Sequence, residues 1–297
     1  MEDLSVREQH LVYARNDLAK AEKLDTAFGT QFKRYAMWQC GHCGLEFAAP
    51  RVAPPDNWYD ELYQQLLLYP ALRWEFQVVC AAVQKSQTVV DFGCGSGFFL
   101  GAVATCSAHA VGFDFSASAV NAARAQGFDA RKLVPTWAEA DEIAPLAADH
   151  VTAFHVLEHL VEPANLFRFA QGVGSSDVKL WIAVPSNRRA SRVYGEQDAL
   201  DAPPHHLTRW TPAALKAVAL NCGWSMQEFR YEPIAMKTAV WEITRRQPRF
   251  QRTENSPELL KRPLRRALAL ATWANGEHRR SGLSGFSMLA CFTRRAK

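Results

Sequence analysis

The feature that most constrains the fold of this chain lies between residues 89 and 100, which read VVDFGCGSGFFL. An apolar strand that contains an acid is followed by a loop with glycine at every second position (the glycine loop, residues 93–97) and then by an apolar helix. Such a loop leaves backbone N–H groups at a helix N-terminus open to a ligand, because no side chain stands in the way. The stretch therefore predicts an α/β protein with a ligand site at this strand end.

Strands and helices alternate on both sides of the glycine loop. Ser116 is a predicted helix N-cap, Thr211 before Pro212 is another, and Gly127 and Gly223 end helices. Predicted strands occupy residues 88–92, 109–115, 128–132, 150–154, 180–184, 224–231 and 286–294. This alternation predicts a parallel sheet covered by helices on both faces, with ligands at the carboxyl ends of the strands.

The spacing of the glycines decides between three kinds of nucleotide site. A P-loop needs lysine after its last glycine, whereas Gly97 precedes Phe98. A dinucleotide fingerprint needs a third glycine at the position of Phe98, where phenylalanine would block both close helix packing and the pyrophosphate. The remaining pattern is Asp-x-Gly-x-Gly-x-Gly, formed by Asp91, Gly93, Gly95 and Gly97.

Three further segments carry recognisable patterns: residues 154–163 read FHVLEHLVEP, residues 203–211 read PPHHLTRWT, and residues 40–50 read CGHCGLEFAAP. Together with the glycine pattern they resemble the class I S-adenosylmethionine-dependent methyltransferases, in particular a subgroup with "VLEH" and "PPHHL" motifs. That subgroup includes ubiquinone-type O-methyltransferases and many natural-product and sugar enzymes. The resemblance covers about residues 88–224 and extends to 286–294. It implies a Rossmann-like, seven-stranded sheet whose last strand is antiparallel and lies between strands five and six.

The resemblance also implies a cofactor site for S-adenosylmethionine, whose aminoacyl part carries no pyrophosphate and lies beside the glycine loop. Asp91 is implied to hold the loop and the cofactor ammonium, and Asp114 to accept hydrogen bonds from both ribose hydroxyls, as a carboxylate is able to do. The family's acid for the adenine amine has no clear counterpart after strand three: Thr136, Trp137 and Glu139 are the nearest candidates, with stacking of Trp137 on the base as the alternative. The cofactor-binding residues implied in this way are Asp91, Gly93, Cys94, Gly95, Gly97, Asp114, Phe115, Trp137 and His155.

Histidines supply the candidates for a general base. Methyl transfer is an in-line displacement in which the protein mainly aligns the reactants, and a base helps when the acceptor is a hydroxyl or an acidic carbon. O- or C-methylation is therefore favoured, with His155, His159 and His206 as candidate catalytic residues, since imidazole titrates near neutral pH. Two alternatives stay open: His155 contacts the cofactor instead, and Glu158, His159, His205 and His206 have structural roles.

Cys40 and Cys43 form a Cys-x-x-Cys knuckle of the zinc-ribbon type. A structural zinc needs four ligands, and the chain contains no second Cys-x-x-Cys. Members of the resembled subgroup with a complete ribbon carry an earlier pair. We therefore expect no bound metal, with Cys40 and Cys43 as the weak zinc candidates, in a helical N-terminal region of residues 1–84 that bears a degenerate ribbon. Residues 85–297 form the predicted catalytic domain, with a helical insertion at about 232–283.

Charge and cysteine content bound the partners and the compartment. The net charge is +4, but residues 244–297 hold 13 Lys or Arg against three Glu and are therefore +10. A basic segment of this kind is open to three interpretations: a solvated surface, a nucleic-acid site, or contact with an anionic membrane through residues 263–273. We expect a cytoplasmic protein for three reasons. The seven cysteines are an odd number, which argues against a disulfide framework, and the acidic start is unlike a signal peptide. No apolar run reaches the roughly 18 residues that a membrane span needs.

These observations favour a methyltransferase that acts on a small molecule. Two other functions stay open on the sequence alone. One is a protein that binds S-adenosylmethionine without catalysis, because the binding motifs are clearer than any base. The other is a nucleic-acid methyltransferase that uses the basic C-terminal segment.

Overall fold

A computed structural model describes residues 2–29, 32–65, 73–107, 109–133, 146–196, 198–248, 250 and 258–295 of the chain. The chain divides into two compact units. The first unit comprises Met1–Pro185, Asp198–Arg230 and Leu289–Lys297, and the second comprises Ser186–Gln197 and Tyr231–Met288.

Within the described residues, the strands in chain order are β1 (Glu2–Ser5), β2 (Arg34–Gln39), β3 (Glu46–Ala49), β4 (Thr88–Phe92), β5 (His109–Asp114), β6 (Asp129–Lys132), β7 (Ala148–Phe154), β8 (Gly174–Pro185), β9 (Thr208–Arg209), β10 (Trp224–Tyr231) and β11 (Ser287–Arg294). The helices are α1 (Val6–Tyr13), α2 (Leu18–Phe28), α3 (Asp56–Gln65), α4 (Trp74–Ala82), α5 (Phe98–Val103), α6 (Ala117–Ala125), α7 (Ala164–Val173), α8 (Ala190–Val193), α9 (Pro212–Asn221), α10 (Met236–Thr244), α11 (Glu258–Ala274) and α12 (Glu277–Arg280). Short 3-10 turns form at Leu157–His159 and Ala199–Asp201.

The larger sheet has seven strands in the order β10-β11-β8-β7-β4-β5-β6. The neighbouring strands from β8 to β6 are parallel, and the β10–β11 end of the sheet is antiparallel. The position of β11 between β8 and β10 confirms the predicted insertion of the last strand between strands five and six. The Rossmann-like α/β fold predicted from the sequence is therefore confirmed.

The central strands are predominantly apolar. Val89, Val90, Val151, Ile182 and Val184 are completely buried, as expected for a parallel sheet with both faces covered. The strand register pairs the middle of β4 with the middle of β5 and of β7. The carboxyl ends of these three strands therefore lie side by side, and the glycine loop emerges there.

The N-terminal region contains the expected helices. Apolar residues recur at helical spacing from Leu4 to Ala21 and predict one helix over residues 2 to about 24, and this prediction is wrong. Glu2–Ser5 is a strand, and α1 and α2 are separated by Arg15 and Asn16, both in the left-handed region with φ of 52° and 64°. The apolar period runs through both helices because each packs one face on the same core, so periodicity alone does not reveal the break. A second sheet of order β1-β2-β3-β9 completes this region. The domain boundary at residues 84/85 stays a prediction.

The second unit is helical. Helix α11 spans Glu258–Ala274 and contains Pro263. Arg246 pairs with Glu196 and Glu242, and its guanidinium lies 4.7 Å from the ring centre of Tyr194. None of the helices in the described parts of the chain combines the length and apolarity required to cross a bilayer.

Candidate active site

The glycine loop is tied to the neighbouring strand by its own backbone. The N–H groups of Gly93 and Cys94 both donate to the carbonyl oxygen of Phe113 in β5, at 2.7 and 3.0 Å. Gly95 and Gly97 have positive φ angles of 53° and 92°, and Gly97 is the N-cap of α5. A Cβ atom on Gly95 would have no described heavy atom within 4 Å, so there is open space at this point of the loop.

Gly93 is the point where the loop meets the turn after β7. Its φ is +80°, and a Cβ atom there would lie 2.3 Å from Cγ2 of Val156 and 3.3 Å from Cγ1. Any side chain at residue 93 would therefore displace Val156. This contact packs the turn that carries Glu158 and His159 directly against the glycine loop.

Asp114 closes the loop from the end of β5. Its Oδ2 accepts the N–H of Gly95 at 2.8 Å, and its Oδ1 accepts the N–H of Ser116 at 2.8 Å. Burial raises the pKa of Asp114, although the N–H groups of Ser116 and Gly95 oppose that change. Each carboxylate oxygen accepts more than one hydrogen bond, so acceptor capacity remains for ligand hydroxyls.

Asp91 is buried beneath the loop, with 2% of its surface exposed. The hydroxyl of Thr152, on the adjacent strand β7, donates to its Oδ1 at 2.6 Å. Burial raises the pKa of Asp91 to about 7, the Thr152 hydroxyl opposes the rise, and the nearby Asp114 adds to it. The carboxyl group is therefore partly protonated near neutral pH and is sensitive to any added positive charge.

His155 follows β7 with a φ of +57°, in the left-handed region. Its buried ring lies between two buried carboxylates: Nε2 is 3.2 Å from Oε1 of Glu75, and Nδ1 is 3.3 Å from Oε1 of Glu158. Burial alone would lower the pKa of His155, but the two carboxylates outweigh it and the pKa is raised. The two carboxylates therefore favour the charged form of His155, which they hold between α4 and the turn after β7.

A cluster of three histidines (His159, His205 and His206, the histidine cluster) lies beside this turn. One ring nitrogen of each lies within 4.8 Å of one from each of the others. The Nδ1 atoms of His159 and His205 lie 2.6 and 2.8 Å from the carbonyl oxygens of His205 and Leu200, and Nδ1 of His206 lies 3.2 Å from Oδ1 of Asp201. Burial first, and the neighbouring histidines second, lower the pKa of His159, and burial lowers that of His205 to about 4.

The structure thus brings most of the predicted residues to one end of the sheet. Asp91, the glycine loop, Asp114 and His155 lie at the ends of β4, β5 and β7. The Cys94 side chain points into the fold, since a Cβ on Gly112 would lie 2.6 Å from its Sγ, and the Phe115 ring meets that of Phe92 edge-on at 5.7 Å. Trp137, like Thr136 and Glu139, lies outside the described residues.

Sequence reasoning missed three polar residues of this region: Glu75, Thr152 and Asp201. Glu75 alone carried a signal, because it is an isolated acid within the apolar stretch WEFQVVCAA of α4. An acid at such a position is buried only when a partner compensates it. Thr152 and Asp201 acquire their roles only from contacts made across the fold.

Cys40 and Cys43 lie in the turn between β2 and β3. Among the residues that the structure describes, no further histidine, cysteine or acid joins this pair to form a metal-binding group of three. The carbonyl of Cys43 instead accepts the hydroxyl of Thr211 at 2.7 Å, and Thr211 also caps α9. The knuckle therefore anchors the start of α9, and the expectation that Cys40 and Cys43 hold no zinc stays a prediction.

Comparison with known proteins gives one family and several similar solved structures. A family model described as a methyltransferase domain matches residues 62–228, more than half of the chain. Similar solved structures include a chain of the complex that contains the Haloferax volcanii Trm112 methyltransferase activator, with 18% identity over 75% of this chain and 90% of that chain and a TM-score of 0.49. The S-adenosylmethionine-dependent methyltransferase from Mesorhizobium loti has 14% identity over 74% and 97% of the two chains and a TM-score of 0.45. A SAM-dependent methyltransferase from Archaeoglobus fulgidus has 16% identity over 74% and 94% and a TM-score of 0.44. A search of curated proteins finds no match.

Proposed function

The chain belongs to the methyltransferase domain family and is an S-adenosylmethionine-dependent enzyme, and we propose that it methylates an oxygen or carbon atom of a small molecule. Bound S-adenosylmethionine supplies a methyl group already activated for displacement. The protein's own contribution is to hold the two reactants in line and to exclude water. The observation that carries this proposal is the packing of Val156 on Gly93, because it joins the glycine loop to the turn that bears Glu158 and His159.

The residues around the glycine loop fit the cofactor. Open space at Gly95 admits a ligand to the backbone, and the remaining acceptor capacity of Asp114 suits ribose hydroxyls. Asp91, partly protonated near neutral pH, would ionise beside a positively charged ammonium group, since an opposite charge favours the charged form of a carboxyl. These three features support the assignment of residues 91–97 and Asp114 to cofactor binding.

His155 acts as a positioning residue in this proposal. Both of its ring nitrogens lie at ion-pair distance from carboxylates, so it is occupied in holding Glu75 and Glu158 rather than in removing a proton. His159 and His206 remain the candidates on the acceptor side. In each of them Nδ1 faces an oxygen atom, so Nε2 is the nitrogen that would accept a proton from the acceptor.

A small acceptor is favoured over a nucleic acid by the charges of the basic C-terminal segment. Arg245 and Arg246, at its start, form ion pairs with Glu196 and Glu242 within the second unit. Cations that are paired in this way contribute less to a phosphate-binding surface than unpaired ones. The "VLEH" and "PPHHL" motifs, which occur in a subgroup that methylates metabolites and sugars, support the same choice.

The test is transfer of a labelled methyl group from S-adenosylmethionine into fractions of an extract from the organism that makes the protein. Label in the small-molecule fraction supports the proposal, and nuclease-sensitive label in the nucleic-acid fraction contradicts it. The variant Asp114→Ala is the control for the cofactor site and should abolish incorporation. The matched control is His109→Gln, which replaces an exposed histidine at the start of β5 and should retain the incorporation of label.

A further inference from the structure

The histidine cluster is assembled from two separate parts of the chain. His159 ends the 3-10 turn after β7, whereas His205 and His206 precede β9, and the two parts are 46 residues apart in sequence. The rings of His205 and His206 stack with centres 4.5 Å apart, and the ring of His159 stands edge-on to both at 4.7 and 4.8 Å. Three imidazoles this close in a largely buried place offer several ring nitrogens to one point.

The hydrogen bonds of the cluster orient all three rings in the same sense. Nδ1 faces a carbonyl oxygen in His159 and His205 and a carboxylate oxygen in His206. Each of these oxygens only accepts, so the ring proton lies on Nδ1 and the lone pair lies on Nε2. Metal-bound histidines show this arrangement, in which an oxygen acceptor fixes the tautomer through the nitrogen that does not bind the ion.

A buried ring nitrogen and a buried carboxylate lie at the same place. Nε2 of His205 is buried and makes no hydrogen bond within the described residues. Glu158 is 1% exposed, and neither of its carboxylate oxygens makes a well-aligned hydrogen bond there, although Oε1 lies 3.3 Å from His155 Nδ1 and 3.9 Å from His206 Nε2. A buried lone pair and a buried carboxylate are both costly unless they are compensated. A cation between the rings would give the lone pair of His205 a partner and would add to the positive charge that His155 places beside Glu158.

We propose that His159, His205 and His206 bind a divalent transition-metal ion through their Nε2 atoms, with Glu158 as a nearby negative charge. Imidazole ligands suit zinc and its neighbours in the first transition row, rather than magnesium or calcium, which bind oxygen. Tetrahedral zinc with Zn–N bonds of about 2.0–2.1 Å needs nitrogens about 3.4 Å apart. One ring nitrogen from each of the three histidines lies within 4.8 Å of those of the other two, so the rings are already close to that spacing.

The ion has a consequence for catalysis that rests on the proposed function. A three-histidine set is the type that leaves a fourth position for water or substrate. In this chain that position would hold the acceptor oxygen. The ion would lower the pKa of the acceptor hydroxyl and would so take the place of a histidine general base. Binding of the ion itself does not depend on the acceptor, so it is tested separately from methyl transfer.

The test uses the full-length protein freed of metal by a chelator and then titrated with Zn²⁺ alone, or with Co²⁺ as a spectroscopic probe. We expect one tightly bound zinc per chain and the intense visible absorption of tetrahedral Co²⁺. The variants His159→Asn, His205→Asn and His206→Asn retain a donor near the position of Nδ1 and remove Nε2. Each should raise the Kd for zinc by more than the roughly 10–100-fold expected when a residue that only hydrogen-bonds to a metal ligand is lost.

The double variant Cys40→Ser/Cys43→Ser is the matched control, because the knuckle is the competing zinc candidate. Zinc binding that survives in this control and is lost in the histidine variants supports the proposal. Absence of binding in the wild type, loss in the cysteine control, or retention in all three histidine variants overturns it. X-ray absorption of the wild-type zinc form does not depend on whether the variants fold: nitrogen neighbours alone support the site, and a sulfur shell at about 2.3 Å overturns it.

Discussion

Substituting Gly93 by alanine separates two costs that glycine avoids at this position. The first is backbone strain, because φ is +80° and left-handed backbone costs a residue with a Cβ about 1–2 kcal/mol. The second is steric, because the new Cβ would lie 2.3 Å from Cγ2 of Val156, about 1 Å closer than an ordinary contact. Overpacking of this kind costs about 1–3 kcal/mol. Gly93→Ala should therefore lower the free energy of unfolding by about 2–5 kcal/mol.

Gly223→Ala provides a control for the strain alone. Gly223 also has a φ of +80°, but a Cβ there would meet no described heavy atom within 4 Å, so we expect a loss of only about 1–2 kcal/mol. Val156→Ala removes both offending methyl groups and leaves the Cβ of residue 156 at 3.4 Å, an ordinary contact distance. The double variant Gly93→Ala/Val156→Ala should therefore regain the part of the free energy of unfolding that the steric contact costs and should still lack the part that backbone strain costs.

Denaturant unfolding and calorimetric titration with S-adenosylmethionine measure the two consequences. The Kd of Gly93→Ala should rise at least about tenfold, equivalent to about 1.4 kcal/mol, because the displaced turn shifts the glycine loop. The double variant should regain most of that affinity, and Gly223→Ala should bind as the wild type does. Equal stability and equal Kd for Gly93→Ala and Gly223→Ala would refute the packing of Val156 on the loop, and with it the link between cofactor and acceptor sides.

Three further changes test the polar groups around the loop. Asp91→Asn should stabilise the protein at pH 8. The pKa of Asp91 is raised from 3.8 to about 7 in the folded state, so between these pH values only the folded state holds the proton. The free energy of unfolding of the wild type therefore falls as the pH rises through that window, by up to about 1.4 kcal/mol per pH unit, and asparagine has no proton to lose. Denaturation at pH 4 and pH 8 checks this, and an identical pH dependence in variant and wild type would contradict it. Asp114→Ala removes the acceptor of the Gly95 N–H, so calorimetry should show at least about tenfold weaker binding of S-adenosylmethionine, and an unchanged Kd would exclude this role. His155→Gln leaves two buried carboxylates without their cation and should cost about 3–5 kcal/mol of stability, of which the added change Glu75→Gln should restore a part; no such recovery would mean that the ion pair does not form.

Much of the fold could be predicted from sequence because its signals are local. All seven strands of the large sheet lie where alternating patterns and turn residues placed them, within a few residues at each end for most. The strand β8 begins earlier than expected, at Gly174, because its first residues are polar and give no apolar signal. The helix predicted for residues 2–24 failed for the opposite reason, since its apolar period continues across a turn at Arg15 and Asn16.

The sequence by itself determined the glycine loop, its strand and the acid of β5. Positive φ angles demand glycine, and the fixed spacing from Asp91 to Asp114 places two carboxylates on neighbouring strand ends. Only the tertiary structure decided the histidine cluster and the Glu75–His155 pair. Their members lie 46 and 80 residues apart, and no local pattern encodes a contact that exists only because the turn after β7, helix α4 and the segment before β9 converge.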